Sequence, residues 1–388
     1  MNIGAAFTLI RNGASIKQTD SAGGIPITRI ETIANRVIDR NHMGYADIYN
    51  GDKYSSYFLR DGDILMSHIN SIQHLGKAAI YHPLDEKEKI IHGMNLLVLR
   101  ANQKILDNQF AYFYFSSDSF LHKLPRITKK SVNQASFTVS ELKKIDIPCP
   151  ALSQQHKIAK ILSIIQTLCN KRNEQLKIFD ELVKSRFIEM FGHSDRPKVR
   201  LGECCIINPK KSSDIRLVDN DLMVSFVSMS DVSEDGQIVT CNHKQYESVK
   251  SGFTYFSEND VLFAKITPCM ENGKGGIAKG LLNGIGFGST EFHVLRPIDQ
   301  VSNSCWLYEL TSFPQFRQAA EINMTGSAGQ RRVPASFLAN YKVSLPPISL
   351  QNQFADFVHQ LDKSKMAVQK SLDELEILKK SLMQTYFG

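Results

Sequence analysis

Two stretches of the chain carry apolar residues at helical spacing along a single narrow stripe. Residues 154–191 contain neither Pro nor Gly, and Leu162, Ile165, Cys169, Arg172, Leu176, Phe179, Val183, Arg186 and Met190 step along them at alternating intervals of three and four. Residues 350–387 repeat the pattern through Val358, Leu361, Lys365, Val368, Leu372, Leu375, Lys379, Leu382 and Tyr386. This alternation is the seam of a coiled coil. Each stretch follows a proline and a serine, Ser153 or Ser349, whose hydroxyl can accept from the free N–H groups of a first helical turn. A helix of that length runs about 55 Å, too far for one small domain to cover. The spacing therefore predicts that the two helices cover each other as an antiparallel intramolecular pair, with the long stems of Arg172, Arg186, Lys365 and Lys379 reaching the edge of the seam.

The remaining sequence has a different texture. Short apolar runs such as Asp63-Ile64-Leu65-Met66, Asn95-Leu96-Leu97-Val98-Leu99 and Glu291-Phe292-His293-Val294-Leu295 are bounded by Gly, Asn, Asp and Pro, the pattern of strands and turns. Helices are expected at Asn108 to Ser116 and at Ser304 to Ser312. The fold class is α+β: two strand-rich bodies in tandem, each followed by a long helix. The expected layout is a first body at 1–150, a central helix at 151–192, a second body at 193–346 and a C-terminal helix at 347–388. The connector Gly192-His193-Ser194-Asp195-Arg196-Pro197 is short enough to lay the helices side by side, with the bodies at opposite ends.

The two halves are copies. Pro150-Ala151-Leu152-Ser153 recurs as Pro346-Pro347-Ile348-Ser349, an offset of 196, and at that offset Gln155 meets Gln351, Leu176 meets Leu372, and Lys184-Ser185 meets Lys380-Ser381. Upstream, Val98-Leu99-Arg100 matches Val294-Leu295-Arg296 and Gln134 matches Gln330. With the offset changed by one, Asp63-Ile64-Leu65 matches Asp260-Val261-Leu262, and the Gly76-Lys77 turn matches Gly273-Lys274. Ile3-Gly4 pairs with Leu201-Gly202, so the apolar opening is expected to be the first strand of a body and not a targeting signal.

Composition adds modest constraints. The chain has 388 residues, 42% of them hydrophobic, and carries a net charge of +7, which permits contact with a polyanion without requiring it. Seven scattered cysteines without a CxxC pair read as reduced packing residues. No apolar run is long enough for a membrane span. A soluble, cytoplasmic protein is expected.

Catalytic signatures are missing. Gly76-Lys77-Ala78 and Gly273-Lys274-Gly275 lack the spacing and hydroxyl of a phosphate-binding loop. The Asp/Asn-Pro-Pro-aromatic loop of adenine methylation is absent, since Leu345-Pro346-Pro347-Ile348 has neither the polar nor the aromatic member. Asp118 with Glu141-Leu142-Lys143 is the nearest approach to a metal-dependent nuclease, but the copy at Phe337-Leu338-Ala339 is apolar. No histidine or cysteine spacing suggests a metal site. What remains is basic and polar decoration. Arg126, Lys129, Lys130, Asn133 and Gln134 in one body correspond to Ser327, Gln330, Arg331 and Arg332 in the other, residue types that bind phosphates and base edges. Ser67, His68 and Asn70, with Lys265 and Thr267 as counterparts, form a second pair of candidate loops, and Lys77 and Lys274 complete the candidates.

A tandem of two such bodies, each followed by a helix that opens Pro-x-(Leu/Ile)-Ser-x-Gln and closes Lys-Ser-x4-(Met/Tyr)-Phe-Gly, resembles the specificity subunit of type I restriction-modification systems. One departure is visible: the family commonly has Glu-Gln at the helix start, where this chain has Gln154-Gln155 and Leu350-Gln351. The resemblance implies a non-catalytic reader. Each body would be a target recognition domain for one half of a split, asymmetric site in double-stranded DNA. The helices would act as ruler and dock for two modification subunits, which use S-adenosylmethionine to methylate adenine; restriction subunits would add ATP- and Mg2+-dependent cleavage. The chain has no room for the domains of a fused restriction-methylation enzyme. The alternative is a coiled-coil adaptor that does not read DNA.

Overall fold

The computed structural model describes residues 1–20, 23–48, 52–131, 134–192, 197–214, 216–217, 221–234, 236–238, 242–327 and 329–388. Residues 193–196 of the connector, Asn133, Cys241 and Ala328 lie outside the described residues. The chain forms two compact units, Met1–Asn173 with Lys370–Gly388, and Glu174–Gln369. The helices Leu152–Phe191 and Ile348–Phe387, 40 residues each, both contribute to both units.

The first unit is built on a four-stranded antiparallel sheet in the order Phe7–Asn12, Leu96–Ala101, Ile64–Ser67, Ala78–Ile80. Ile64, Leu65 and Met66 are buried on both faces, so the run is apolar throughout and not alternating. The helix Asn108–Phe115 supplies Phe110, Phe113, Tyr114 and Phe115 to the core. The second unit repeats this architecture, with Cys205–Ile207, Phe292–Pro297, Val261–Ala264 and Gly275–Ile277 in the same antiparallel order. Its equivalent helix, Ser304–Ser312, buries Trp306 and Leu307.

The units differ in what is added to this frame. The first carries a small sheet of Gln18–Thr19, Gly44–Ala46 and Ile25–Ile27. The second carries a four-stranded sheet of Asn242–Gln245, Met223–Val227, Ile285–Gly288 and Thr254–Ser257, whose middle pair is parallel. The apolar opening is not a strand from its start. Ile3–Ala6 is a helical turn capped by the Asn2 side chain, which accepts from the Ala5 N–H at 2.8 Å, and the strand begins at Phe7. Leu201–Cys204 makes the matching turn before Cys205.

Within each unit, segments of the two long helices pack against one another and against the body. In the first unit Leu162 and Ile165 are buried and Phe387 closes on Phe110 with ring centres 5.1 Å apart, flanked by Leu382. Lys379 donates to Gln166 across the seam. In the second unit Phe187 and Phe191 both meet Phe354 edge-on at 5.4 Å, and Lys365 reaches Asp180 at 2.6 Å. Moving from Phe191 back to Asp180 on one helix moves from Phe354 forward to Lys365 on the other, so the segments run antiparallel. Val183, Met190, Val368 and Leu372 are buried, and Leu176, Phe179, Val358, Leu361 and Leu375 are partly so.

The expected stripe needs one correction. Arg186 sits at the edge of the seam as expected, 5.8 Å from the ring centre of Phe357 on the other helix and paired with Glu189 at 2.7 Å, but the buried position of that turn is filled by Phe187. Two successive steps of four, from Phe179 through Val183 to Phe187, absorb the drift between 3.5 and 3.6 residues per turn.

Candidate nucleic-acid interface

The glutamine of each helix-opening motif fixes its helix to its body. Gln155 is fully buried; its Nε2 donates to the carbonyls of Ile105 and Pro150 at 2.8 and 2.7 Å, and its Oε1 accepts from the Asp107 N–H at 2.9 Å. Asp107 in turn caps the helix Asn108–Phe115 by accepting from the Phe110 N–H at 2.7 Å. In the second unit Gln351 donates to Val301 and Pro346 and accepts from the Asn303 N–H, and Asn303 caps Ser304–Ser312. A buried amide with its partners met in this way orients the helix start against the frame.

A second duplicated device locks the central strands. Arg100 holds Asp63 through two bonds of 2.7 Å, and Arg296 holds Asp260 through bonds of 2.8 and 2.7 Å. Both carboxylates also accept a backbone N–H, from Arg60 and Ser257 respectively. The charges of both aspartates are spent inside the bodies, which takes them out of any surface role.

On this frame the two candidate loops of each body, far apart in sequence, come together as one ribbon. In the first unit Ile69–Asn70, Ala135–Ser136 and Lys129–Lys130 form a three-stranded antiparallel sheet in which Ser136 faces Ile69 on one side and Lys129 on the other. In the second unit Arg332 bridges Ile266 on one side and Thr325 on the other. The closing bonds match as well: the Phe137 N–H donates to the His68 carbonyl at 3.1 Å, and the Val333 N–H to the Lys265 carbonyl at 2.9 Å.

The candidate side chains divide into three groups. Arg126, Lys129, Lys130 and Gln134 are exposed in or beside the first ribbon, and among the described residues none of the three cations forms an ion pair. Ser327 and Gln330 are exposed in the turn of the second. In the intermediate group, Asn70 donates to Ser67, Thr267 donates to Glu271 at 3.0 Å, and Lys265 is half-buried. Arg331 lies 3.6 Å from Glu271 and 3.8 Å from Glu321, whereas Arg332 makes two bonds of 2.9 Å to Glu291.

The third group is tied into its own body. Ser67 and His68 are buried, and burial pushes the His68 imidazole down to about 4, so it adds no charge at neutral pH. Lys77 and Lys274, both half-buried, form a matched pair of ties to their own bodies, donating to the carbonyls of Ala34 at 2.8 Å and Met229 at 3.1 Å. Both follow a glycine at positive φ, Gly76 at 74° and Gly273 at 87°, and this turn aims the lysine across its own body. Their equivalence in sequence reflects a shared structural bond. Asn133 lies outside the described residues.

The arrangement can offer cations and amides to a polyanion and holds its carboxylates against arginines. Among the described residues no group of three or more His, Cys, Asp or Glu is placed to hold a metal ion, and no helix is long and apolar enough to cross a membrane.

Comparison with known proteins gives a consistent answer. A family model for the type I restriction modification DNA specificity domain matches residues 2–178 and again 194–376. The chain is 38% identical over 200 residues to a putative type I restriction enzyme MjaX specificity subunit of Methanocaldococcus jannaschii, covering 50% of this chain and 47% of that one. It is 37% identical over 197 residues to the EcoEI specificity subunit of Escherichia coli, covering 48% of this chain and 32% of that one. The matches thus span less than half the length of these relatives. Among solved structures, the S subunit of a type I restriction-modification system from M. genitalium aligns with a TM-score of 0.57 at 14% identity, covering 100% of this chain and 95% of that one. A chain from a study of assembly and conformational transition of the type I system aligns with a TM-score of 0.54 at 18% identity, covering 100% and 96%. At these identities the structural likeness concerns the fold.

Proposed function

The chain belongs to the type I restriction modification DNA specificity family, and on that premise we propose that it is the non-catalytic reader of a type I restriction-modification complex. Each unit recognises one half of a bipartite, asymmetric site in double-stranded DNA. The observation that carries this reading is the ribbon built twice from the same sequence positions, Ile69–Ser136–Lys129 in one unit and Ile266–Arg332–Thr325 in the other. A narrow antiparallel ribbon fits the major groove, where base edges carry a distinct donor and acceptor code. Different side chains on a common ribbon give the two units different half-sites.

The long helices set the permitted spacer and present surfaces to two modification subunits. Those subunits bind S-adenosylmethionine and methylate adenine. Restriction subunits join them and cleave with ATP and Mg2+. The complex works in the cytoplasm, where its DNA is.

Methylome sequencing of a host with and without this gene tests the reading. Loss of a bipartite methylated-adenine motif on deletion is expected, and an unchanged methylome overturns it. Gel shift of the purified chain, alone and with a modification subunit, separates a reader from an adaptor: an adaptor shows no sequence preference in either condition.

A further inference from the structure

The two ribbons differ in charge. In the first unit Arg126, Lys129 and Lys130 stand without an ion pair among the described residues. In the second, Arg331 and Arg332 both face carboxylates, of Glu271 and Glu321 in one case and Glu291 in the other. If the second unit holds a polyanion, most of its cationic grip must come from elsewhere.

Beside the second ribbon lies an open cleft of about 290 Å³, lined among others by Asn208, Lys211, Phe253, Tyr255 and Lys265. Lys211 donates to the Lys250 carbonyl, which fixes its ammonium while leaving two N–H groups unspent. Lys244 sits 3.6 Å from the ring centre of Phe226 and 5.8 Å from that of Phe253. Phe226 and Phe253 meet edge-on at 5.0 Å, yet Phe253 remains 40% exposed. Among the described residues, Lys211, Lys244 and Lys265 form no ion pair; Asp214, Glu247 and Glu291 are held by Arg216, Lys250 and Arg332 respectively, with Lys265 adding a weaker electrostatic pull on Glu291. Lys265 is both a lining residue and the neighbour of the ribbon bridge at Ile266. The matching position in the first unit is His68, which is buried.

We propose that this cleft is a backbone-gripping site of the second unit: Lys211 and Lys265 in its lining, with Lys244 beside Phe253 at its edge, neutralise phosphates of one DNA strand, and the exposed ring of Phe253 packs against a sugar between them. The proposal rests on the reading of the chain as a DNA reader and deepens it, because phosphate contacts set register and affinity while the ribbon supplies sequence preference. Lys265 adjoins Ile266, the residue bridged to Arg332, so the cleft continues the ribbon surface, and contacts to phosphate and sugar hold a duplex whatever its sequence.

The test uses the full chain, alone and with a modification subunit, titrated by fluorescence anisotropy against labelled duplexes over a salt series. The variant Lys211→Gln/Lys265→Gln is expected to weaken binding to every duplex alike and to flatten the plot of log affinity against log salt by about 0.9 per lysine removed. Lys211→Arg/Lys265→Arg should restore the slope, which a merely unfolded variant would not explain. Phe253→Ala should weaken binding with the slope unchanged. Duplex binding whose affinity and slope are indifferent to the glutamine variants overturns the cleft and leaves the DNA reading intact. A wild-type chain that binds no duplex in either form overturns both.

Discussion

Arg332 grips Glu291 through two parallel bonds of 2.9 Å, and the same arginine is the residue that bridges the two outer segments of the second ribbon. Its guanidinium holds the Glu291 carboxyl below the usual carboxylate range. Arg332 therefore braces the ribbon, while Arg331, at 3.6 and 3.8 Å from its carboxylates, is the looser of the pair. Arg331→Ala is expected to reduce methylation of substrates at one half-site only, since a good base contact is worth about 1–3 kcal/mol. Arg332→Ala and Glu291→Gln should resemble each other, weakening that half-site through a disordered ribbon. Methylation assays on duplexes mutated in one half-site at a time decide this; equal behaviour of all three variants and wild type would place recognition elsewhere.

Gln155→Ala and Gln351→Ala each remove a buried amide's bonds to two carbonyls and one backbone N–H, and strand polar groups of the body, among them the Asp107 and Asn303 N–H groups. A loss of about 2–3 kcal/mol is expected from each. Hydrogen exchange localises it: Gln155→Ala should speed exchange around Asn108–Phe115, and Gln351→Ala around Ser304–Ser312. Fast exchange in the helices with the bodies unchanged would contradict the docking role.

Asp63 and Asp260 sit almost wholly buried beneath their arginines. Removing one partner strands the other, so Asp63→Ala should cost about 3 kcal/mol or more in urea unfolding, and Asp63→Leu/Arg100→Met should recover much of the loss. A double variant as unstable as the single one would mean that the shape of the pair, and not its charge, holds the strands.

Burial lifts the Glu309 carboxyl to about 7, against the pull of Lys184 and Lys365 and with a small push from Asp180. The folded state thus holds this proton more tightly than the unfolded chain does. Its contribution to stability is complete below the unfolded value near 4.5 and is lost as pH rises through about 7. Glu309→Gln should match wild type near pH 4.5 and exceed it by about 1–3 kcal/mol at pH 8. A stability difference that is flat between those pH values would show that Glu309 titrates alike in the folded and unfolded chains, and that burial does not lift its carboxyl.

Deleting one heptad from each long helix removes about 10 Å of helical rise, the length of about three base pairs. The permitted spacer should shorten accordingly while both half-sites stay the same. Methylome sequencing reads both quantities, and an unaltered spacer would end the ruler interpretation.

The helices and the duplication were legible in the sequence because both are local signals. A stripe recurring every three and four residues survives without knowledge of the fold, and only the exchange of Arg186 for Phe187 escaped it. The paired motifs at Asp63 and Asp260, and at Gln155 and Gln351, could be aligned from sequence, but their bonds could not be read from it. The tertiary structure decided which cations are free. Lys77 and Lys274 looked like surface lysines until their glycine turns aimed them at carbonyls of their own bodies, and His68 looked like a loop histidine until Phe137 closed over it. Lys211, Lys244 and Phe253 carried no signal in sequence, because their association depends on strands folded together from distant segments. Periodicity is a property of neighbouring residues, whereas burial and charge pairing belong to residues brought together only when the chain folds.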